Sequence, residues 1–260
     1  MRKGLFSLLL HASLFCFYVE SPYGPALIQK GVWSDFNTFF TVQPAFVFDT
    51  VFNRKLQAGG GNSTVSFHET SEMADIAFTF LHRFSAYVMT GGAKTDLSLQ
   101  SPGNNYLELF SNWAIPWVVG GKAIILDWHN FLLSLDGKYL QQNFKMKTLL
   151  TDGMLASFVQ APKFSLTDYQ IGVLVGYTTA LLTPFIGFYY ENVSAALSRL
   201  PASYYTLSDF DSASSVSFIN TPRMGLVIGA DISPHDLFAL SFQVRMITET
   251  ALALTLTFGF

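Results

Sequence analysis

This chain of 260 residues carries one cysteine, Cys16, so no intramolecular disulfide can brace it. Charge is scarce as well. Asp, Glu, Lys and Arg make up 13% of the residues, against about 25% in ordinary soluble domains. The formal net charge is −3 and no run of Lys or Arg occurs, which excludes nucleic acid as a partner. There is no nucleophile elbow, no zinc-type His pair and no Gly-rich phosphate loop. The reading is therefore of a non-enzyme without cofactor or metal. The closest approach to a catalytic pattern is "LDWHN", which puts Asp127 and His129 on one strand face. His129 is more simply a girdle or loop residue.

What is present is apolar bulk. Half the residues are hydrophobic and 16% are aromatic, and mean hydropathy is +0.33. The N-terminus reads as an export signal over residues 1–21. Arg2 and Lys3 are its basic start, Gly4 to Val19 its uncharged apolar stretch, and Val19 and Ser21 its small residues before a cut. An uncleaved anchor is the alternative, though the stretch is short for a membrane span. Cleavage removes Cys16 and leaves a mature chain without thiols. Residues 22–37 form an extended lead-in, and 38–260 the folded unit.

The longest uncharged run, Tyr169 to Tyr190, is long enough for a membrane helix. Its internal period argues otherwise. Ile171, Val173, Val175 and Tyr177 share one parity; Gln170, Gly172, Gly176 and Thr178 share the other. After Pro184, Ile186, Phe188 and Tyr190 resume the alternation opposite Gly187, Tyr189 and Glu191. Period two means strands, with a tight turn expected near Leu181–Pro184. Leu226 to Ile232, Phe238 to Met246 and Ala251 to Phe260 alternate in the same way. The second face in each is small or polar rather than highly charged, as expected for lipid outside and a polar lumen inside.

A sheet in hydrocarbon cannot leave an edge unpaired, so it must close. The fold expected is all-β: a transmembrane antiparallel up-and-down β-barrel of about 12 strands, within a range of 10–16. Eleven segments are recognisable: Thr38–Asn53, Ser66–Phe80, Arg83–Gly92, Asn105–Val119, Gly121–Phe131, Phe144–Val159, Leu166–Ala180, Thr183–Ala196, Ser215–Ile232, Asp236–Ile247 and Thr250–Phe260. "GGGNST", "SPGNN", "LDGK" (Leu135–Lys138) and "SDFDSASS" read as turns, and Asp168–Tyr169 and "SPHD" lie close to turns. Trp113, Trp117, Trp128, Tyr189, Tyr190, Tyr204 and Tyr205 are candidates for the interfacial aromatic girdles.

Several blocks resemble the chlamydial major outer membrane protein (porin) family. They are "PYGPALIQKGVW" after the signal, "FVFDTVFNRKL", "EMADIAFTFLHRFSAYVMTGGAK", the block holding "TPFIG" (Thr183–Gly187), and the final "GLVIGADISPHDLFALSFQVRMITETALALTLTFGF". The "TPFIG" block and the C-terminus are the most specific. Family members are longer and cysteine-rich, so this chain looks like a reduced, cysteine-poor paralogue. The resemblance implies the bacterial outer membrane, outer-membrane lipids as surroundings, handling by the barrel-assembly machinery, and a homo-oligomer, a trimer in that family. It also implies that Phe258 and Phe260 form a C-terminal assembly signal.

The function expected is a porin passing small hydrophilic solutes by diffusion. The alternative is a structural or surface-exposed, adhesin-like barrel without significant flux. Parity puts Glu191, Asp231, Gln243, Arg245 and Glu249 on the lumen face. An Arg at mid-membrane on the lipid face costs about 2–4 kcal/mol, which favours the inward position for Arg245. There it serves either as part of a selectivity ring or as a staple paired with an acid such as Asp231.

Overall fold

The computed structural model describes residues 39–58, 64–100, 106–158, 160–179, 181–200, 215–235 and 238–258. The expected signal, the lead-in, Tyr204, Tyr205 and Phe260 lie outside them. The described residues form thirteen antiparallel strands: β1 (Phe40–Ala58), β2 (Thr64–Phe80), β3 (Phe84–Gln100), β4 (Tyr106–Ser111), β5 (Trp117–Trp128), β6 (Phe131–Thr151), β7 (Met154–Ala156), β8 (Lys163–Tyr177), β9 (Leu182–Ser198), β10 (Ser215–Asn220), β11 (Met224–His235), β12 (Phe238–Met246) and β13 (Glu249–Phe258). They close in a ring of ten, within the range expected. Among the described residues no helix is long and apolar enough to cross a membrane. The strands do the crossing.

Two ring positions are shared by broken strands. β4 and β5 together fill the place between β3 and β6. Between them, Ala114 bridges Ala93 and Trp113 lies exposed on the outer wall. β10 and β11 together follow β9. β13 closes on β1 through Ala45↔Thr257 to Arg54↔Glu249. Beyond that point β12 and β13 have ended, and β1 pairs directly with β10 over Leu56↔Asn220, Gln57↔Ile219 and Ala58↔Phe218. The ring therefore loses two strands above the β12–β13 tip, leaving about eight, a size whose interior side chains can fill.

Turn lengths orient the barrel. At one end Leu81–Arg83 joins β2 to β3, and His129–Asn130 joins β5 to β6. Leu81, His82 and His129 take positive φ (53°, 52° and 59°), as such tight reversals require. The end with short turns also holds the last residues of β13 and is taken as the inner end by the general turn-length rule for membrane barrels. The longer connections gather at the opposite, outer end.

The two halves are built on opposite solvent logic. Near the short-turn end the apolar side chains face out: Phe46, Ile76, Val88, Ile171, Val173, Ile186, Phe188, Ile228 and Phe242 are all exposed. Aromatics bound this zone. Trp117, Tyr139 and Tyr169 run across β5, β6 and β8 with ring centroids 5.2 and 4.8 Å apart. Phe131 meets Tyr177 at 5.0 Å and Phe40 meets Phe80 at 5.3 Å at the lower margin. The interval from Phe131 to Tyr139, or Tyr169 to Tyr177, is the length a tilted membrane strand needs, about 9–11 residues. Above it the pattern inverts. Phe67, Leu97, Leu109, Phe144, Leu149, Phe164, Leu197 and Phe218 point inward as one buried cluster. Lys55, Lys145, Lys147 and Lys163 point outward and are exposed. The outer half is thus a small water-soluble barrel standing on a membrane barrel.

Several expected turns are strand. Leu135–Lys138 lies inside β6, and Asp168–Tyr169 inside β8. In both places a charged residue sits mid-strand because it faces the barrel interior, so turn-like composition misleads there. Pro184 is within β9, and the turn precedes Leu182. The expected segments Asn105–Val119 and Ser215–Ile232 are each interrupted, and Lys94–Leu99 belongs to β3.

Candidate functional site: the filled barrel interior

A register shift in β1 builds the centre of the interior. Up to Val51 the odd-numbered residues face in, including Asp49. Between Val51 and Arg54 the pairing slips against both β2 and β13. Such a bulge re-aims side chains; here Arg54, Leu56 and Ala58 become the inward set.

Arg54 is fully buried. Its Nε donates to Glu249 Oε2 at 2.9 Å, and its Nη2 donates to Glu191 Oε1 at 2.7 Å and also to Glu249. Its Nη1 stands 3.7 Å from Asp168 Oδ2, and the guanidinium lies over Phe67, 5.7 Å from the ring centroid. Arg245, also fully buried, grips Asp49 with two hydrogen bonds, Nη1 to Oδ2 at 2.7 Å and Nη2 to Oδ1 at 3.0 Å. Its Nε donates to the second oxygen of Glu249. Glu249 thus joins the two arginines, and the layer ties β1, β8, β9, β12 and β13 across the interior. Breaking a buried pair by removing one partner costs about 3–5 kcal/mol.

The β12–β13 tip is fastened into this layer. Ile247 at the turn has φ 84°, and Thr248 and Glu249 follow it to the inside. Thr248 Oγ1 shares a 2.7 Å hydrogen bond with Tyr189 OH. Asn220 braces the neighbouring strand end, donating to the Glu191 carbonyl at 3.1 Å and accepting from Val193 N at 3.0 Å. At the boundary with the apolar cluster, Gln142 donates to Glu69 at 2.8 Å.

Toward the short-turn end the filling is polar. Tyr87 donates to Asp136 at 2.9 Å. Thr79 and Ser85 share a 2.7 Å hydrogen bond. Two aromatic rings cross the interior above glycines of the adjacent strand. A Cβ on Gly120 would lie 2.2 Å from the Tyr87 ring, and one on Gly225 2.2 Å from the Tyr189 ring. Ser134 Oγ, Ser241 Oγ, Thr255 Oγ1 and both amide atoms of Gln170 and Gln243 are buried with no hydrogen-bond partner among the described residues. The buried charged side chains are unbalanced. Asp49, Glu69, Asp75, Asp136, Asp168, Glu191, Asp231 and Glu249 stand against Arg54, Lys122, Lys138 and Arg245.

Of the residues singled out by parity, Glu191, Arg245 and Glu249 come together in the ionic layer. Gln243 is buried beneath it, in register with Gly229 and Ala253. Asp231 lies elsewhere, opposite Ser241 and Thr183 near the short-turn end. The acid that staples Arg245 is therefore Asp49, not Asp231, because β12 reaches β1 across β13 at that level. Phe258 is in register with Phe238. Tyr189 is an interior residue rather than a girdle one, whereas Trp117, Trp128 and Tyr190 are exposed on the wall. His129 is in the β5–β6 turn, so it shares no strand face with Asp127. Among the described residues no His, Cys, Asp and Glu group could hold a metal ion.

Sequence reasoning missed Asp49, Arg54, Asp136, Lys138 and Asp168. Asp49 keeps the inward parity of "FVFDTVF", which was signal enough. Arg54 is reached only through the bulge, which alternation cannot foresee.

No family model matches the chain, and no curated relative does either. Solved structures are similar in fold at low identity. The outer membrane protease OmpT from Escherichia coli is 10% identical with a TM-score of 0.46, the match covering 85% of this chain and 97% of that one. The outer membrane protein OprG from Pseudomonas aeruginosa is 8% identical with a TM-score of 0.39, covering 85% and 95%. The translocator domain of the autotransporter NalP from Neisseria meningitidis is 13% identical with a TM-score of 0.42, covering 86% and 88%. These are likenesses of fold and say nothing of activity.

Proposed function

We propose that the chain is a bacterial outer-membrane β-barrel, closed to solute flux in the conformation described, that holds a filled outer extension above the bilayer as a structural or surface-exposed element. One observation carries this reading: the outer half is packed through its centre by Phe67, Phe144, Phe164, Leu197 and Phe218, all buried in one cluster. The ionic layer beneath it is also buried. Small barrels filled in this way have no aqueous path. Residues 1–21 act in this reading as the cleaved export signal. Phe258 and Phe260 present the assembly signal to the barrel-assembly machinery, and outer-membrane lipids surround the apolar wall. Membership of the chlamydial major outer membrane protein family, and its trimeric state, belong to the same proposal and rest on the resemblance alone.

A second reading, a porin for small hydrophilic solutes, is favoured by a different observation. The chain fills its outer half with apolar residues but leaves Gln170, Gln243, Ser134 and Ser241 without partners among the described residues lower down. Each such group costs about 1–3 kcal/mol if water does not reach it, so a wider, hydrated state gains stability there.

Planar-bilayer recording on the refolded, heat-modifiable protein separates the two. The closed-barrel reading expects no unitary steps from the unaltered protein. Regular steps, lost when the apolar outer cluster is enlarged by Leu197→Phe, would establish the porin instead.

A further inference from the structure

The outer extension carries a cluster of basic side chains on its outward face. Lys145 on β6 and Lys163 on β8 are directly opposite in register, and Lys163 is opposite Ser198, which precedes Arg199. Lys147 follows on the same outward face of β6. All four basic residues are exposed. Like charges placed directly opposite on neighbouring strands destabilise the pair. Arg54 and Arg245, by contrast, meet their carboxylates inside the barrel. Other parts of the outer wall mix signs: His68 is opposite Asp96, with Lys94 two positions away.

The height of the cluster matters as much as its charge. Directly below it on the same two strands stand Tyr139 and Tyr169, 4.8 Å apart at the upper margin of the apolar wall. Between them and the lysines the outward residues are neutral and polar: Gln141 and Asn143 on β6, Ser165 and Thr167 on β8. From Tyr139 to Lys145 is about 20 Å along the strand, or about 14 Å above the apolar margin for a strand tilted by about 45°. That is beyond the hydrocarbon and past the roughly 5–7 Å headgroup layer of an ordinary leaflet, at a height that the sugars and phosphates of a glycolipid reach. Basic residues at a membrane surface attract anionic lipid headgroups.

We propose that Lys145, Lys147, Lys163 and Arg199 form a binding site for the phosphate groups of a phosphorylated glycolipid in the outer leaflet. The aromatic row below packs against its acyl chains, and Asn143 and Thr167 meet its sugars. The site rests on the outer-membrane reading but on neither view of the lumen.

The test uses the full refolded chain in neutral detergent, titrated with diphosphorylated lipid A, dephosphorylated lipid A, and inorganic phosphate at matched phosphate concentration. Binding is read as a saturable shift in thermal unfolding. Diphosphorylated lipid A is expected to bind tightly, the dephosphorylated form and free phosphate weakly. Lys145→Gln/Lys147→Gln/Lys163→Gln should lose roughly a hundredfold in affinity. Because these side chains are exposed and mutually repelling, that variant should fold, which heat-modifiability on a gel checks. Ser165→Gln, close by but neutral, is the control and should bind normally. Equal binding of both lipid forms, or unchanged affinity in the folded triple variant, overturns the proposal. Equal binding of free phosphate assigns an anion site without lipid specificity and overturns it as well. If the barrel conducts yet this binding pattern holds, the closed-barrel reading fails and the site stands.

Discussion

Glu249 lies directly opposite Arg54, the last pair of the β1–β13 register, and accepts hydrogen bonds from both Arg54 and Arg245. It is where the membrane barrel of ten strands meets the narrower outer extension. Below this level polar side chains face in and apolar ones face out; above it the order reverses. A charged layer at that boundary is consistent with the change of solvent outside. The interior there must join a polar filling to an apolar one, and Arg54 does so directly, holding carboxylates with its nitrogens while its guanidinium lies over the Phe67 ring.

Removing that acid should cost more than any exposed acid on the wall. Glu249→Ala leaves two buried guanidiniums sharing Asp49, Glu191 and Asp168, and is expected to destabilise the barrel by about 3–5 kcal/mol. Glu72→Ala, exposed on β2, should fall within about 0.5 kcal/mol of the parent. Urea unfolding in lipid vesicles, followed by Trp fluorescence, measures both. Similar midpoints for the two variants would mean the layer is not the structural hub described here.

Gly120 and Gly225 are required by the rings they face rather than by any turn. Gly120→Ala puts a methyl into the Tyr87 ring, and overpacking of this kind costs about 1–3 kcal/mol. The ring must then move and give up its hydrogen bond to Asp136. In the Tyr87→Ala background the same substitution should be close to neutral. A double-mutant cycle with no coupling between the two positions would show that the ring does not need the space.

The final residues invite a test of assembly rather than stability. β13 continues the outward apolar parity through Leu252, Leu254, Leu256 and Phe258. Phe260→Ala is expected to lower the amount of protein inserted in the outer membrane several-fold in cells. The refolding yield of the purified variant in vesicles should be unchanged, because in the proposed reading the residue acts through the assembly machinery, which the vesicles lack. Loss of both to the same degree would make the residue a packing element.

Much of the membrane half was legible in the sequence. The alternation of Ile171, Val173 and Val175, of Leu226 to Ile232 and of Leu252 to Phe258 follows directly from a wall with lipid on one side. The outer half was less legible because its alternation runs in the opposite sense on the same strands. On β8, Phe164 and Leu166 face in whereas Ile171 and Val173 face out, and nothing in a parity count marks where the solvent changes. Interior charges were misread for a related reason. Asp136, Lys138 and Asp168 look like turn residues to any rule that assumes strand charges meet bulk water. Glu191, Arg245 and Glu249 were found because they fall on the parity opposite the apolar face of their strands.

The level at which the solvent changes can be measured by placing one charge at two heights on adjacent strands. Val173 faces out within the apolar zone, between the margins set by Tyr169 and Tyr177; Asn143 faces out above Tyr139. Arginine on a lipid-facing wall costs about 2–4 kcal/mol at mid-membrane and about 0–1 near the interface. Val173→Arg should therefore lower stability in vesicles by about 2–4 kcal/mol. Asn143→Arg should change it by less than about 1 kcal/mol. Neither substitution touches the interior, so packing inside the barrel does not confuse the comparison. Equal penalties at both positions would place Asn143 inside the hydrocarbon, and with it the boundary, the aromatic row and the outer extension would all have to move outward.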